Sequence, residues 1–377
     1  MKKLVCVLLC IGIMIGIAPR TVVYAENTAV AEILMEARTG QVLFSGNSEM
    51  KLPMASVTKE MTLLLLAEAI DSGELSLEEK VKASSNASGA EGSVIWLNIG
   101  EEMTVAELLE AVIVSSANDA CIALAEHLSG TEAAFVKQMN KRAKELGMNN
   151  TRYTNCVGYD DSGHYSTAYD IALLTAELMK HEVYYGWWLT WLDYLRGGET
   201  QLVNTNKLVR YYNGIIGGKT GTTDGAGCCL AVCAEQKDMR LVAVVLGCKE
   251  DQDRFDEAER LLDYGFESFE KFTPEQDFTK LKPVPVIHGV SGTVDTIIEN
   301  QGGECVISKG RAADVKYEYT FAEEVRAPVK KGQFLGEYLV TLDGAEVYRS
   351  DIVAEKAVEE MNFFKCFMLI LKQIISM

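Results

Sequence analysis

Two pairs of short apolar stretches, far apart in the chain, predict β-strands. Residues 29–35 and 41–44 flank a turn at 37–40 that ends in glycine, a pattern typical of a β-hairpin. Residues 228–234 and 241–246 are also apolar and are joined by a short polar turn. The two pairs therefore predict strands of an antiparallel sheet.

Between these strand pairs, apolar residues recur at helical spacing. From about Ser56 through Glu68, one apolar stripe repeats every three or four residues, and the same pattern continues at 105–114, 118–128 and 132–146. Strands at both ends around a helical middle predict an α+β fold, with helices packed on the antiparallel sheet. We assign this first domain to residues 26–273.

After residue 273 the pattern changes to short β-like runs separated by glycines, such as those in 289–292 and 301–303. This pattern predicts a small all-β second domain over residues 280–352.

The tail, 353–377, has a helical apolar stripe interrupted by Lys365 and Lys372. Because the apolar run is short for a span of roughly 20 residues, the tail is expected to be an amphipathic helix lying in the membrane surface. The predicted stripe comprises Val358, Met361, Phe364, Met368, Leu371 and Ile375. A helix that packs on the protein itself is the alternative.

The N-terminus has the features of an export signal. Lys2 and Lys3 precede the apolar run 4–18, and small residues near Ala25 suit a signal peptidase. We therefore predict a signal peptide over 1–25 and an exported protein at the outer face of the cell membrane.

The whole chain has a formal net charge of -18. Without a basic surplus to neutralise phosphates, a nucleic-acid partner is disfavoured.

Cysteine and histidine usage argues against a metal site. The chain has ten Cys but no Cys-x-x-Cys, and Cys228, Cys229 and Cys233 lie in an apolar stretch. Buried free thiols are therefore favoured over disulfides. The four His are scattered along the sequence, so no zinc cluster is expected. We predict neither a metal nor another cofactor.

Two Ser-x-x-Lys tetrads lie close together, and such a tetrad can set a lysine base beside a serine nucleophile. The first, Ser48 to Lys51, lies in a predicted polar loop over residues 45–51, before Pro53, which disfavours helix in the residue before it. The second, Ser56 to Lys59, begins an apolar helical run, which brings the two side chains onto one face. A helix-capping Ser with a surface Lys is the structural alternative. Helical context favours Ser56 as the nucleophile.

Two further polar motifs are candidates for the same site. Ser116 and Asn118 lie in a polar junction between two apolar helices, where Ser116 serves equally well as a helix cap. Lys219, Thr220 and Gly221 precede a predicted strand. Lys219 offers a cation and Thr220 a hydroxyl for an anionic substrate, while Gly221 leaves room for a peptide along the strand edge.

Together, and in this order, the motifs resemble those of the penicillin-recognising serine D,D-peptidases, specifically the low-molecular-weight D-alanyl-D-alanine carboxypeptidases. The resemblance covers nearly the whole chain, including the β-like second domain and the tail. The matching segments are 53–59, 116–120, 155–158 with His164, Ser166, Thr167 and Asp170, then 204–208 and 219–221. It implies the penicillin-recognising serine transpeptidase/β-lactamase-like fold.

The resemblance also implies roles for individual residues. Ser56 would form an acyl-enzyme with Lys59 as its base, and the backbone N–H groups of Ser56 and Thr222 would stabilise the oxyanion. Ser116 would help pass a proton to the departing D-Ala. The substrate would be a peptidoglycan stem peptide ending in D-Ala-D-Ala, and β-lactam antibiotics would bind at the same site. The amide and the terminal carboxylate of the stem peptide would be held by Asn118, Lys219, Thr220, Gly221 and, less directly, Arg254.

Several alternatives stay open. Arg254 lies beside Asp253 and Asp256 and is equally compatible with a solvated surface position. A serine β-lactamase shares the three motifs but needs an added carboxylate, and the nearest candidate, Glu199, misses the expected spacing by one residue. A non-catalytic wall-binding protein on the same fold is the third possibility. Ala117 also departs from the family, in which many members have Gly.

Overall fold

The computed structural model describes residues 28–375, so the predicted signal peptide lies outside the described residues. A five-stranded antiparallel sheet forms the centre of the first domain, in the order β2 (Val42–Gly46), β1 (Ala31–Glu36), β9 (Met239–Cys248), β8 (Gly227–Gln236) and β7 (Ile215–Thr223). The strands of this domain and of the next are β1 (Ala31–Glu36), β2 (Val42–Gly46), β3 (Lys80–Lys82), β4 (Glu102–Thr104), β5 (Leu192–Leu195), β6 (Thr200–Val203), β7 (Ile215–Thr223), β8 (Gly227–Gln236), β9 (Met239–Cys248), β10 (Phe269–Phe272), β11 (Val284–Ile287), β12 (Thr293–Val294), β13 (Thr296–Ile298), β14 (Cys305–Ser308), β15 (Lys316–Phe321), β16 (Val325–Arg326), β17 (Phe334–Leu342) and β18 (Ala345–Ala354).

Helices cover both faces of the five-stranded sheet. The α-helices of the described residues are α1 (Lys59–Asp71), α2 (Ser85–Ser88), α3 (Val105–Val114), α4 (Asn118–Ser129), α5 (Glu132–Glu145), α6 (Ala168–Leu178), α7 (Tyr185–Trp188), α8 (Asp253–Ser268) and α9 (Phe363–Ile375). One face of the sheet packs on α1 and α6, and the other packs on α8. This explains why the central strands read as continuous apolar runs rather than alternating ones: both of their faces are buried.

Buried positions along β8 divide between these two faces. Ala231 and Cys233 belong to the core shared with the helical middle, whereas Leu230 and Val232 belong to the core under α8. Among the described residues the cysteines are free, and all are buried except Cys366. The prediction of buried free thiols is therefore confirmed for this part of the chain.

The C-terminal part is β-rich, as predicted. One sheet has the order β12-β11-β16 and a second has the order β13-β18-β17-β15, each with its own small apolar core. Strand β10, which follows α8, pairs with β14 of this region. The side chain of Gln41 bonds both backbone groups of Val306, at 2.8 and 2.9 Å, and so ties the β1–β2 turn to β14.

The tail helix, α9, begins at Phe363, later than the sequence pattern predicts. Val358, which the pattern places on the helical stripe, is buried instead in the β-rich part and bonds the backbone of Val329. Large apolar side chains of α9 are exposed, among them Phe363 at 89% and Ile374 at 65%. Within residues 28–375, the structure contains no helix with the length and apolar content of a membrane span.

The α+β fold prediction is confirmed, with two local corrections around the tetrads. The α-helix begins at Lys59, and Ser56 lies in the preceding 3-10 turn, Ala55–Thr58. Ser45 and Gly46, predicted as part of a polar loop, are instead the last residues of β2, because their strand pairs with β1.

Candidate active site

Ser56 and Lys59 are in contact. Lys59 Nζ lies 2.7 Å from Ser56 Oγ and donates a hydrogen bond of 2.9 Å to the backbone carbonyl of Val157. The Lys59 side chain is fully buried, whereas Ser56 is half-buried. Burial lowers the pKa of Lys59 to about 8, because the charged form loses its hydration. A lysine in this state is neutral often enough near pH 8 to accept a proton from the hydroxyl beside it.

Close backbone packing holds the turn that carries Ser56. Ala55 has a left-handed φ of 49°, a strained conformation for a residue with a Cβ. Gly158, with φ at 98°, lies directly against this turn, and a Cβ there would come within 1.9 Å of the Ala55 carbonyl oxygen. On the other side, a Cβ on Gly221 would lie 2.9 Å from the Ser56 nitrogen. Only glycine allows both approaches.

His164 contacts the same turn through Thr58. Its Nδ1 accepts a hydrogen bond from the Thr154 N–H, so the ring proton is assigned to Nε2, which lies 2.7 Å from Thr58 Oγ1. Burial lowers the pKa of His164 to about 4, so the imidazole is neutral near pH 7. The ring therefore serves as a neutral bridge between the Thr154 backbone and the residue before Lys59.

Ser116 and Asn118 lie at the junction of α3 and α4. Ser116 adopts a left-handed φ of 63°, and its buried hydroxyl finds no hydrogen-bond partner among the described residues. It does not cap α4, whose N-cap is Ala117 without a side-chain bond, so the capping alternative is wrong. Asn118 Nδ2 donates to the Glu91 carbonyl at 2.6 Å, while its buried Oδ1 is unpartnered within the same residues.

The strand β7 presents Lys219, Thr220, Gly221 and Thr222. Lys219 is buried, and its pKa lies well below the usual range, first because of burial and then because of the charge of Lys59. Thr220 Oγ1 donates to Thr205 Oγ1 at 2.7 Å, and the Thr205 N–H bonds the Val114 carbonyl at the end of α3. The strand, the turn of Ser56 and the α3–α4 junction are thus joined by direct contacts.

Arg254 is a buried residue of α8 rather than a solvated surface side chain. Its side chain donates hydrogen bonds of 2.9 Å to the Gly221 carbonyl and 2.8 Å to Thr222 Oγ1, and it forms an ion pair with Asp251. The surface alternative is therefore wrong. The guanidinium packs behind the strand segment that carries Gly221.

Some residues that shape the site have no recognisable pattern in the sequence. The Val157 carbonyl, which accepts from Lys59, lies in the 155–158 segment, but backbone groups leave no residue-type signal. Asp119 accepts backbone bonds from Ile95 and Leu97, a role that its position after Asn118 does not reveal. Glu60 is fully buried, although a glutamate in a helix is usually exposed to solvent.

Comparison with known proteins agrees with this fold. The family model described as D-alanyl-D-alanine carboxypeptidase, peptidase S11, matches residues 18–250, and a model of the C-terminal domain of penicillin-binding protein 5 matches 269–360. The chain belongs to the S11 peptidase family of D-alanyl-D-alanine carboxypeptidases.

Individual relatives are similar over most of their length. The D-alanyl-D-alanine carboxypeptidase DacF of Bacillus subtilis is 37% identical over 376 residues, covering 96% of each chain. The structure of penicillin binding protein 5 from Haemophilus influenzae superposes with a TM-score of 0.79 at 30% identity, covering 92% of this chain and all of that one. Penicillin-binding protein D2 from Listeria monocytogenes, solved in an ampicillin-bound form, has a TM-score of 0.58 at 32% identity and covers 63% of this chain and 98% of its own.

Proposed function

We propose that the protein is a serine-type D-alanyl-D-alanine carboxypeptidase that removes the terminal D-Ala from peptidoglycan stem peptides. The observation that carries the proposal is the contact of 2.7 Å between Ser56 Oγ and Lys59 Nζ, in which the lysine is buried and its pKa is lowered to about 8. A half-buried hydroxyl beside a partly neutral amine is what an acyl-transfer reaction requires of its nucleophile.

In the first step, neutral Lys59 takes the proton of Ser56 as the serine oxygen attacks the carbonyl carbon of the penultimate D-Ala. The N–H groups of Ser56 and Thr222 stabilise the negative oxygen that forms. Collapse breaks the C–N bond, and the leaving amine of D-Ala receives the proton from Lys59 by way of Ser116. The unpartnered hydroxyl of Ser116 supports this role, because it has a free donor and acceptor. Water then hydrolyses the ester and restores Ser56.

The remaining residues bind the substrate. Asn118 offers its unpartnered Oδ1 to the substrate amide N–H, while Lys219 and Thr220 bind the terminal carboxylate. Gly221 allows the peptide to lie along β7. Arg254 positions β7 through its hydrogen bonds to the Gly221 carbonyl and to Thr222. Its guanidinium also adds positive charge behind the substrate carboxylate. Penicillins acylate Ser56 in the same way.

A β-lactamase function has less support. A β-lactamase of this kind needs a carboxylate that activates water. The nearest candidate in the sequence is Glu199, which is exposed in the β5–β6 hairpin. The intact set of Ser56, Lys59, Ser116, Asn118 and Lys219 likewise speaks against a non-catalytic wall-binding protein.

The protein is proposed to work outside the cell, at the outer face of the cytoplasmic membrane. The signal-like segment 1–25 supports export. The exposed apolar side chains of α9 support peripheral attachment, because a helix with such a face lowers its free energy by lying in the membrane surface. Liposome binding by the chain with and without residues 363–377 tests this attachment.

The activity is tested by incubating the protein, prepared without residues 1–25, with a fluorescent penicillin and with a pentapeptide ending in D-Ala-D-Ala. We expect stable labelling, mapped to Ser56 by mass spectrometry, together with release of D-Ala. Absence of both results would refute the enzyme proposal. Rapid hydrolysis of the penicillin with the peptide left intact would favour the β-lactamase instead.

A further inference from the structure

Trp96 is the most exposed tryptophan or tyrosine among the residues that the structure describes. Its relative exposure is 77%, and its φ is 57°, in the left-handed region. A bulky residue in this conformation is an outlier that costs on the order of 1–3 kcal/mol and persists only where the surroundings enforce it. The fold therefore holds a large aromatic ring in water, in a strained conformation.

The backbone on both sides of Trp96 is fixed by buried groups. The Asp119 carboxylate, which is 1% exposed, accepts the N–H of Ile95 at 3.1 Å and that of Leu97 at 3.0 Å. Arg196 donates to the Ile95 carbonyl at 2.8 Å. This arrangement orients Trp96 outward and prevents the segment from collapsing onto the protein.

The segment that carries Trp96 adjoins the active site. The Asn118 N–H bonds the Ser93 carbonyl at 2.6 Å, and the Asn118 side chain bonds the Glu91 carbonyl. Asp119, which fixes Trp96, directly follows Asn118 in α4. Trp96 is therefore only three residues along the chain from Ser93, which is bonded to Asn118, the residue proposed to hold the substrate amide.

The β5–β6 hairpin extends this surface. Arg196, at its turn, bonds both Ile95 and Glu101. Leu192 pairs with Val203, so their side chains share the outward face of the hairpin, where Tyr194 and its partner Gln201 also lie. Tyr194 is 49% exposed and accepts a hydrogen bond from Gln201.

We propose that Trp96, with Tyr194 on the adjoining hairpin, binds the sugar chain from which a peptidoglycan stem peptide projects. One face of a pyranose ring presents C–H groups that pack on an aromatic ring, and hydroxyl and acetamido groups match the Tyr194 and Gln201 side chains. The inference rests on the proposed function, since a stem peptide held at Asn118 brings its glycan to the neighbouring surface.

Charge favours a neutral sugar over an anionic partner. Asp193 and Glu199 lie on the hairpin, Glu102 lies opposite Lys82 in the β3–β4 pair, and the Arg196 cation is already paired with Glu101. A phospholipid or polyphosphate surface would be repelled here. An uncharged polymer carries no such cost.

The test compares two substrates: a free pentapeptide and glycan strands that carry the same pentapeptide. We expect Trp96→Ala to raise KM for the strands roughly tenfold while changing kcat/KM for the free peptide less than about twofold. Trp96→Phe should restore most of the affinity. Phe278→Ala is the matched control, because Phe278 is an exposed aromatic residue of the C-terminal part, at 52% exposure.

Equal changes for both substrates, or no change for either, would overturn the proposal. If the wild type releases D-Ala from neither substrate, the proposed function itself fails. A second measurement avoids dependence on the alanine variant: peptide-free glycan strands should change the tryptophan fluorescence of the wild type saturably, and the change should vanish in Trp96→Phe. Absence of a fluorescence change, or binding of phospholipid vesicles that Trp96→Ala abolishes, would also refute the sugar site.

Discussion

The two Ser-x-x-Lys tetrads have the same spacing and lie eight residues apart, yet their surroundings differ in almost every respect. Ser48 is buried, and its hydroxyl lies 2.8 Å from Ser45 Oγ, while Lys51 is exposed with its Nζ over the ring of Tyr165. In the second tetrad the serine is half-buried, and the lysine is the fully buried member, in contact with it.

This contrast teaches that spacing alone does not make a nucleophile. The backbone around Ser48 is bonded to the segment that begins α6, where the Tyr169 N–H bonds the Ser48 carbonyl and Leu52 pairs with Ser166. That tetrad is part of a structural connection. An acyl-transfer pair instead needs an accessible serine and a desolvated lysine, because desolvation lowers the pKa of the amine.

The largest expected difference is between the two serines. Ser56→Ala should reduce the rate of penicillin labelling by at least about a thousandfold, because it removes the proposed nucleophile. Ser48→Ala should label at nearly the wild-type rate, with a small loss of stability from the missing Ser45 bond. Gel fluorescence over time measures both, and loss of labelling only in Ser48→Ala would reverse our choice of tetrad.

The pH dependence of acylation should follow the lysine of the second tetrad. Since the pKa of Lys59 is lowered to about 8, its neutral, proton-accepting form increases as pH rises. The labelling rate should therefore increase roughly tenfold per pH unit below about pH 8 and level off above it. Stopped-flow labelling measures this profile, with Lys51→Ala as the control. A profile that is flat between about pH 6 and pH 9, or that changes in Lys51→Ala, would contradict the assignment.

An added methyl group should be more harmful at Gly158, which packs against the turn of Ser56, than at Gly40 in the β1–β2 turn. Gly158→Ala forces a Cβ to within 1.9 Å of the Ala55 carbonyl oxygen, so we expect a loss of about 2–4 kcal/mol in unfolding free energy and at least a tenfold slower labelling rate. Gly40→Ala is the control, because Gly40 also has a positive φ but has no atom near its Cβ position.

For Gly40→Ala we expect a loss of only about 1 kcal/mol and an unchanged labelling rate. Urea unfolding gives the free energies of both variants. Similar labelling rates for the two variants would show that backbone contact at Gly158 does not position Ser56.

The smallest effect concerns the acids beside each tetrad. Burial raises the pKa of Glu60 from 4.5 to about 8, so the folded protein holds this proton more tightly than the unfolded chain. Its contribution to stability is complete below about pH 4.5 and decreases as pH rises toward 8. Glu60→Gln keeps an acceptor for the 2.6 Å bond from Thr175 and removes this dependence.

Relative to the wild type, Glu60→Gln should therefore gain roughly 1–3 kcal/mol between about pH 5 and pH 8. Unfolding free energies measured at these pH values test the prediction. Glu49→Gln, at an exposed position in the first tetrad, is the control and should track the wild type. A Glu60→Gln curve parallel to that of the wild type would rule out a buried, proton-binding carboxyl.

Much of the fold was predictable because it depends on local patterns. The apolar runs of β8 and β9, the stripes of α3, α4 and α5, and the turn between β1 and β2 all follow from residue periodicity. Element ends were less accurate, as the start of α1 at Lys59 and of α9 at Phe363 shows. Those ends depend on contacts with distant segments, such as Gly158 against Ala55 and Val358 against Val329.

The order of the motifs and the preference for Ser56 follow from the sequence alone, since helical context and the residues around Ser56 are local properties. The tertiary structure alone decided that Lys59 is buried, that Arg254 supports β7 from α8, and that Trp96 is held in solvent. These features arise from contacts between residues far apart in sequence, and burial sets both the pKa values and the accessibility of the groups. The Ser-x-x-Lys spacing, which both tetrads share, does not show which of the two lysines loses its water.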